Sequence, residues 1–549
     1  MITHYKPIVR NSRFSKFGLL FMLSCMAGFV QAQLSGNYTI DATKTTSGSN
    51  YASWSAFASA IGTSGVNGPV RVTVMTDETT ASVVTLNAIT GTSATNTITI
   101  DGNGKRLSSS STNEAINFNG ADYITMTNLT IQKTGTGTAQ TGIRFSNASD
   151  YNTLNGLTIE FTAQTSSSTA GGAYIAFASS ATSLTSTTTG QNGSFNTIRN
   201  CTMRTTNSNA PGPTFGIIDQ QSVSFYTSTA NNNTFEGNTI RNFFFYAIYN
   251  RYTNGEQFIN NDISRLGASS SSPCNTTLYG IWTYYTYGTN RSTSYKGNNF
   301  HDMPYSGASA SSTSNYINTY YTLFGWYNYG SATNPYTFDG NTTRNIVAYS
   351  QFYHAYLYYA YCINFQNNVI DKNQTYTTST NYMHWMYYCY DNNIINNRIT
   401  NNSFHTVGTS GTAYLFYNWY NYNSVRSLNV WEDNRVDSNS ASGNMYTTYL
   451  YFMGSMRASR NSFTNNRGGS TTGLWYGWLI YYPNNLTFNN NLIANNYGYF
   501  SNYNIYSYNF NSGWTADIRE NTIHTRHSSY LYHFCYGYLF QEMNSRFTF

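Results

Sequence analysis

Residues 392–402 read NNIINNRITNN. Six of these eleven residues are Asn and three are Ile, so a polar majority surrounds a few β-branched apolar side chains. β-Branched residues favour strands, and Asn favours corners because it tolerates the left-handed backbone conformation. The stretch therefore predicts very short strands separated by tight turns.

The same pattern recurs along the chain: an apolar residue, two further positions, Asn, one further position and a second apolar residue. Complete copies are FEGNTI (235–240), FINNDI (258–263), YKGNNF (295–300), FQNNVI (365–370), IINNRI (394–399), WEDNRV (431–436), FNNNLI (488–493) and IRENTI (518–523). Weaker copies have their central residue at 103, 129, 157, 201, 341 and 461. Consecutive central residues lie 23 to 44 positions apart.

A repeat of this length that lacks helical periodicity predicts a solenoid in which each copy is one strand of a coil. Stacked coils place equivalent residues ~4.8 Å apart. Apolar positions then form ladders inside the solenoid, and each Asn amide donates to one neighbour and accepts from the next. The sequence therefore predicts an all-β, right-handed parallel β-helix over residues 96–549.

A second strand precedes each copy and has an aliphatic residue between aromatic ones. The clearest examples are YLY (356–358), WMY (385–387), YLF (414–416), YLY (449–451) and YLY (530–532). Inward positions are predicted at Ile281, Leu323, Leu357, Met386, Leu415, Leu450, Leu474, Ile505 and Leu531. Strand alternation would then turn the flanking rings outward as an exposed strip of Tyr356, Tyr358, Trp385, Tyr387, Tyr414, Phe416, Tyr449 and Tyr451. Two alternatives stay open: the rings pack under external loops, or the register of the strand is reversed.

The first part of the mature chain, residues 33–95, differs from the repeats. Trp54, Phe57, Ala58 and Ile61 follow helical spacing, with Asn50 as the expected N-cap and Gly62 just past the end. Strands are expected at 70–75 and 82–86. Because an open coil would expose core and unpaired edge groups, we expect this helix to cap the solenoid.

Residues 1–32 have the features of a signal peptide. Four basic residues precede an apolar stretch at 17–30, and Ala32 ends a cleavage-like site. A weaker alternative is a lipoprotein box at Cys25. We therefore expect a secreted or cell-surface protein. No later stretch reaches the ~18 apolar residues of a membrane helix.

Charge argues against a nucleic-acid partner. Only 9% of the 549 residues are charged, whereas 17% are aromatic, including 52 Tyr. Removal of the signal segment takes four of the 28 basic residues and leaves 24 against 22 acidic residues. Phosphate recognition requires clustered Lys and Arg, which this sequence lacks.

The five Cys residues outside the signal segment show no metal-binding spacing. An odd number also argues against a disulfide framework. Buried free thiols are the expectation, with a single Cys362–Cys389 bridge as the alternative.

The opening of the mature chain resembles that of a known group of proteins. LSGNYTID (34–41), the stretch at 50–75 and TITIDGNG (97–104) are similar to the start of large secreted right-handed parallel β-helix proteins of Bacteroidetes-type bacteria, and the later repeats resemble the same pectin-lyase-like superfamily. The resemblance implies the fold, and it implies little about activity because this fold hosts enzymes, adhesins and spacers. Relatives often carry a C-terminal sorting domain. The sequence ends at FQEMNSRFTF without one, so we expect a truncated chain or export to the periplasm.

Enzymes of this superfamily use paired Asp residues, or an acidic Ca²⁺ site beside a basic residue, and neither motif stands out here. Glu432 and Asp433, with Asp437 nearby, form the densest acidic cluster, and we expect a solvated turn there. His354 and His384 are expected at the surface near the aromatic strip. A metal site at His524, His527 and His533 is not expected, because residues three apart on a strand face opposite ways. No catalytic residue, metal ligand or cofactor site is therefore predicted.

Two functions from different classes remain, with a spacer that binds nothing as a third. The favoured hypothesis is a non-catalytic adhesion or carbohydrate-binding scaffold, because aromatic rings suit the C–H faces of sugars and Asn supplies neutral hydrogen bonds. The alternative is a lyase or glycoside hydrolase that acts on acidic polysaccharides with residues contributed by different coils. The expected partner in either case is a polysaccharide or cell-surface glycan, and oligomeric state is not predicted.

Overall fold

A computed structural model describes residues 33–548, apart from the segments 136–139, 163–170, 187–190, 209–211, 223–230, 269–276, 290, 306–307, 309–316, 377–379, 405–410, 425, 470–472, 511–514, 525–533 and 544–545. Strands that pair in parallel dominate the described residues, and one α-helix lies near their start. The predicted all-β parallel β-helix with a short N-terminal helix is thus confirmed. The predicted signal segment 1–32 lies outside the described residues.

The helix spans Trp54–Ser64 and buries Trp54, Phe57, Ala58 and Ile61, as the periodicity predicts. Its ends were predicted wrongly. The N-cap is Ser53, whose Oγ accepts a hydrogen bond from the Ala56 amide at 3.1 Å, and the C-cap is Gly65. Asn50 instead belongs to a two-residue strand.

The strands form three faces. The first face consists of Leu34–Ile40, Asn50–Tyr51, Val66–Val74, Ile98–Asp101, Ile124–Thr127, Thr153–Asn155, Thr197–Arg199, Thr234–Glu236, Gln257–Ile259, Ser294–Lys296, Tyr336–Asp339, Ile363–Gln366, Asn393–Ile395, Asn429–Glu432, Met456–Ser459, Leu486–Asn489, Thr515–Arg519 and Arg546–Thr548. The second face consists of Glu78–Thr80, Arg106–Ser109, Thr130–Lys133, Thr158–Phe161, Thr202–Thr205, Thr239–Arg241, Asp262–Ser264, Asn299–Met303, the start of Thr342–Tyr361, Val369–Asp371, Arg398–Thr400, Arg435–Asp437, Ser462–Thr464, Leu492–Ala494 and Thr522–His524.

The third face has the longest strands. It consists of Val84–Asn87, Glu114–Asn119, Thr141–Ser146, Ala173–Phe177, Phe215–Gln220, Tyr246–Asn254, Thr277–Tyr287, Ile317–Tyr329, the rest of Thr342–Tyr361, Gln374–Thr375, Asn381–Tyr390, Ser403–Phe404, Ala413–Asn421, Ser440–Ala441, Met445–Met453, Arg467–Gly468, Trp475–Tyr481, Tyr497–Gly498, Ser501–Phe510 and Phe534–Met543. The first face begins within the predicted cap, since the strand Leu34–Ile40 already pairs with Val66–Val74. The predicted boundary between cap and repeats at residue 95 stays a prediction.

A buried Asn ladder joins the first face to the second. The backbone amide and Nδ2 of Asn368 both donate to Oδ1 of Asn397, each at 3.0 Å. Nδ2 of Asn397 donates to the carbonyl of Phe365 at 2.9 Å and to Oδ1 of Asn434 at 3.0 Å. The same bonds repeat at Asn238, Asn261, Asn298, Asn341, Asn368, Asn397, Asn434, Asn461 and Asn491. The predicted ladder is therefore confirmed, and its fully buried amides are fully satisfied.

Two parts of the ladder differ from the prediction. Asn103 is exposed, and Gly102 lies instead beside Leu129, where an added Cβ would come within 2.5 Å of the Leu129 Cβ. A second ladder, which the sequence did not reveal, runs through Asn373, Asn402, Asn439, Asn466 and Asn496.

All six Asn residues of the opening stretch bond to neighbouring coils. Asn397 and Asn402 belong to the two ladders. Asn396 and Asn401 occupy left-handed corners with φ of 53° and 56°. Ile394 and Ile399 are fully buried, as expected for the core.

Three of the described acidic residues have no exposed surface: Asp219, Glu256 and Asp391. The first two act on each other electrostatically. Asp219 accepts hydrogen bonds from Gln221 Nε2 at 2.6 Å and from Asn233 Nδ2 at 3.1 Å. Burial raises the pKa of Asp219, and burial together with the charge of Asp219 raises the pKa of Glu256. Both carboxyl groups therefore favour the protonated form in the folded chain.

We predict that Asn397→Ala destabilises the solenoid by about 3 kcal/mol or more, because it leaves buried donors on Asn368 and a buried carbonyl at Phe365 without partners. The urea midpoint of unfolding measures this loss. The matched control is Asn364→Ala, which removes a half-buried outward amide bonded to Asn393 and should cost about 0.5–1 kcal/mol. Equal losses in the two variants would contradict the role of the ladder.

We further predict that Asp219 and Glu256 lower the stability of the folded chain as the pH rises from about 4 to about 8. The buried His354 and His384, whose pKa is lowered by burial, act in the opposite direction, so variants are compared with the wild type. A raised folded-state pKa stabilises the protein below the ordinary pKa of the carboxyl group, and this contribution is lost as the pH rises through the raised value. Relative to the wild type, Asp219→Asn and Glu256→Gln should therefore shift the unfolding temperature upward at pH 8 compared with their shift at pH 4 in calorimetric scans. Asp517→Asn, at an exposed ion pair, should leave the slope of unfolding temperature against pH unchanged, and a similar slope in all variants would refute the prediction.

Candidate functional site

Aromatic rings form columns along the outside of the third face. The first column holds Phe215, Tyr246, Tyr279, Tyr321, Tyr353, Tyr382, Tyr414, Tyr446, Tyr476 and Tyr503. Neighbouring ring centroids lie 4.6 to 6.1 Å apart, and the rings are within 13° of parallel. This spacing follows from the separation of paired strands, because equivalent residues of successive coils lie side by side.

The second and third columns lie next to the first. The second holds Tyr249, Trp282, Phe324, Tyr356, Trp385, Tyr417 and Tyr449. The third holds Tyr284, Trp326, Tyr358, Tyr387, Trp419, Tyr451 and Tyr481. Strand register aligns the members of each column.

The fourth column lies at the backbone corner that follows the third column. It holds Tyr252, Tyr285, Tyr327, Tyr359, Tyr388, Tyr420, Phe452 and Tyr482, with φ between 48° and 56°. Their ring centroids are 4.7 to 5.8 Å apart. A bulky residue in this left-handed region costs about 1 kcal/mol, so stacking between coils must offset a local penalty at every turn.

Seven of the eight predicted strip residues lie in the first three columns, and one lies in the core. Six lie in the second and third columns: Tyr356, Tyr358, Trp385, Tyr387, Tyr449 and Tyr451. Tyr414 lies in the first column, where it stacks on Tyr446 at 4.6 Å. The prediction for Phe416 was wrong, since this ring is 1% exposed and lies in the core. Whether the outer rings bind a ligand stays a prediction.

The error at Phe416 comes from a shift of three residues in the repeated motif. Strand pairing aligns Tyr417, Asn418 and Trp419 with Trp385, Met386 and Tyr387. The inward position is occupied by a polar residue, Asn418, so this copy lacks the aliphatic residue of the motif. Leu415 is buried as predicted, but it belongs to a different inward position.

A different sequence pattern identifies the coils that contribute to both the third and the fourth column. Each of them carries two adjacent aromatic residues, the first in the third column and the second at the left-handed corner. The pairs are 284–285, 326–327, 358–359, 387–388, 419–420, 451–452 and 481–482. This doublet, rather than the aromatic-aliphatic-aromatic motif, predicts the third and fourth columns, and the rings of these pairs are half-buried apart from the exposed Trp326.

Other expected positions are corrected or untested. Leu474 is half-buried and outside the core, where Trp475 takes the inward position. His354 and His384 are fully buried, not at the surface, and burial lowers the pKa of His384 to about 3. Leu531, His527 and His533 lie outside the described residues. Cys201, Cys362 and Cys389 are buried free thiols, in agreement with the favoured expectation.

Stacking limits what most of these rings can contact. A ring between two parallel neighbours presents its edge and hydroxyl group, since both of its faces are covered. Tyr388, for example, lies 4.8 Å from both Tyr359 and Tyr420 and is 6° from parallel to each. Burial raises the pKa of Tyr246 and of Tyr279 to about 12, so these phenols stay neutral hydrogen-bonding groups.

Trp326 is an exception within the third column. Its ring is tilted by 43° from Tyr284 and by 45° from Tyr358, and it is 38% exposed. It lines a groove of about 400 Å³ together with Tyr249, Arg251, Trp282, Tyr284 and Phe324. This is where the aromatic face offers both a concave surface and an indole ring that parallel neighbours do not cover.

A second groove, of about 370 Å³, lies on the second face. Its charged lining residues are Asp371, Lys372, Arg398, Arg435 and Asp437. Asp437 accepts hydrogen bonds from Thr464, Asn465 and Arg435, and despite burial these bonds lower its pKa. The side chain is thus an ionised carboxylate held by neighbouring coils.

The acidic cluster at Glu432 and Asp433 is neutralised by arginines of the next coil. Arg460 contacts Asp433 at 2.8 Å and Glu432 at 3.1 Å, and Arg457 contacts Glu432 at 2.5 Å. These carboxylates therefore bind side chains of the protein itself. Among the described residues, no group of three or more His, Cys, Asp or Glu is arranged to hold a metal ion.

The helix Trp54–Ser64 is too short to cross a bilayer, and none of the described helical segments meets the length and apolarity of a membrane span.

No protein-family model matches the sequence, and no curated protein matches it. Solved structures show low-identity similarity. A mannuronic acid specific polysaccharide family 6 lyase from human gut microbiota is 10% identical with a TM-score of 0.36, over 81% of this chain and 86% of that chain. The GH136 lacto-N-biosidase from Eubacterium ramulus is 10% identical with a TM-score of 0.34, over 81% and 69%. The A-module of the Azotobacter vinelandii mannuronan C-5 epimerase AlgE6 is 11% identical with a TM-score of 0.25, over 81% and 91%. All three are carbohydrate-active enzymes, and the likeness concerns the fold.

Proposed function

We propose that this protein is a secreted or cell-surface scaffold that binds carbohydrate through the aromatic columns of its third face, without catalysing a reaction. The observation that carries the proposal is the alignment of outward aromatic rings over successive coils. A buried core does not require these rings, because the inward positions of the same strands already fill the interior. The expected export rests on the sequence of residues 1–32.

Carbohydrate fits this face better than other polymers do. Sugars offer apolar C–H faces and many hydroxyl groups, and the face offers indole and phenol rings with neutral hydroxyl groups. The chain after residue 32 has 24 basic against 22 acidic residues, and this small net charge disfavours nucleic acid. The groove at Trp326 provides the concave surface that small-molecule recognition uses.

The second candidate function is a polysaccharide lyase or glycoside hydrolase. The polar groove on the second face favours it, because Asp371 and Asp437 lie there with Arg398 and Arg435. The residues of this groove support a hydrolase less well than the aromatic columns support carbohydrate binding. A glycosidase needs one protonated carboxyl as general acid, whereas the hydrogen bonds of Asp437 favour its ionised form.

We predict that Tyr358→Ala and Trp326→Ala each weaken the binding of soluble oligosaccharides by about 3- to 10-fold, because one stacked or edge contact is worth ~1 kcal/mol. Glycan-array screening of the wild type selects the ligand, and calorimetry with that ligand measures the change. The unfolding temperature should change little, since both rings lie outside the core.

Tyr151→Ala is the matched control. Tyr151 is 45% exposed and stacks on Tyr123 and Phe195, each at 4.9 Å, away from the third face. Its removal should leave glycan binding unchanged. Absence of binding to every glycan tested would refute the proposal, and release of unsaturated or reducing products from acidic polysaccharides would favour the enzyme instead.

A further inference from the structure

Arg251 takes the place of an aromatic ring in the third column. Strand register pairs it with Tyr284, which in turn pairs with Trp326. The guanidinium carbon lies 4.7 Å from the ring centroid of Tyr252 and 5.3 Å from that of Tyr284. Both rings hold the cation over the outer surface of the coil through cation–π contacts.

The charge of Arg251 has no acidic partner among the described residues. Its Nη2 donates to the Tyr252 hydroxyl at 3.2 Å and its Nη1 to the Thr185 carbonyl at 3.5 Å, while the buried Nε has no hydrogen-bond partner there. The undescribed segments before residue 500 contain neither Asp nor Glu. Two other arginines, by contrast, form ion pairs: Arg144 with Glu114, and Arg204 with Glu160.

A half-buried cation without a counter-ion favours an anionic ligand. The guanidinium stays charged at any physiological pH, and its planar N–H groups match the oxygens of carboxylate or sulfate. Arg251 and Trp326 line the same groove and lie two coils apart, which corresponds to about 10 Å along the solenoid axis. That distance is close to the length of a disaccharide.

We propose that this groove is a subsite for an acidic sugar, in which Arg251 binds the carboxylate or sulfate group and the indole ring of Trp326, which parallel neighbours do not cover, contacts a pyranose ring. The inference rests on the proposed carbohydrate-binding function and adds the charge of the ligand. A neutral glycan would leave Arg251 uncompensated, and a cationic ligand would be repelled by it. The site needs no chemical step, because the guanidinium only forms ionic hydrogen bonds.

The test compares three sets of tetrasaccharides by calorimetry on the full chain: uronic acid oligomers, sulfated oligomers and neutral gluco-oligomers. At least one acidic set should bind more than 10-fold tighter than the neutral set in 50 mM salt. Arg251→Gln should lower the affinity for that acidic set about 10-fold and change the affinity for neutral oligomers less than 2-fold. The two acidic arms separate carboxylate from sulfate recognition.

The control variant is Arg71→Gln, which removes one exposed positive charge from the first face and should have no effect. A measurement on the wild type alone covers the case in which Arg251→Gln fails to fold: acidic affinity should fall as salt rises from 50 to 500 mM, and neutral affinity should not. Equal affinity for acidic and neutral oligomers, or no salt dependence, would refute the subsite and leave carbohydrate binding intact. No binding to any set would refute both.

Discussion

Most of the solenoid depends on one hydrogen-bonding constraint: from Cys201 onward, the buried backbone amide at the corner between the first and second faces takes its acceptor from an Asn of the next coil. Oδ1 of each Asn accepts two hydrogen bonds from the Asn of the preceding coil, one from its backbone amide and one from its side-chain amide. A Leu or Cys at the same place removes that buried side-chain amide, and Leu129, Leu157 and Cys201 do so in the first coils. From Asn238 onward the amide repeats without interruption through Asn491, and coil length can vary only outside this corner.

The same register produces the outer surface. Because the ladder fixes each coil against the next, residues at equivalent positions of the third face also align, and aromatic side chains there stack into columns. Stacking in turn compensates for left-handed Tyr residues at the corner, a conformation that a lone Tyr would disfavour. The aromatic face and the Asn ladder are thus two results of one alignment.

The sequence predicted those parts of the fold that depend on periodic side chains. Ile394 and Ile399 identify the core, and Asn397 identifies the ladder between them, because apolar residues and Asn recur at this spacing in each copy of the repeat. The second ladder lies five residues after the first in each of its copies. It was missed because a large apolar residue follows two positions later only after Asn402, whereas the other copies have Thr375, Ala441, Gly468 and Gly498 there. Phe416 was misplaced because a polar residue, Asn418, occupies the inward position of this strand. Sequence cannot show which residue of a strand faces the core when the inward one is polar. The groove at Arg251 was not anticipated, since Arg251, Trp282 and Trp326 belong to three different coils and only stacking brings them together.

The Asn ladder has a consequence for how such a chain changes over generations. Each rung presents the same donors upward and the same acceptors downward, so a duplicated or deleted coil can be spliced in without redesigning its neighbours. Length is therefore an adjustable trait of this molecule, and the reach of its aromatic surface would grow or shrink by whole coils.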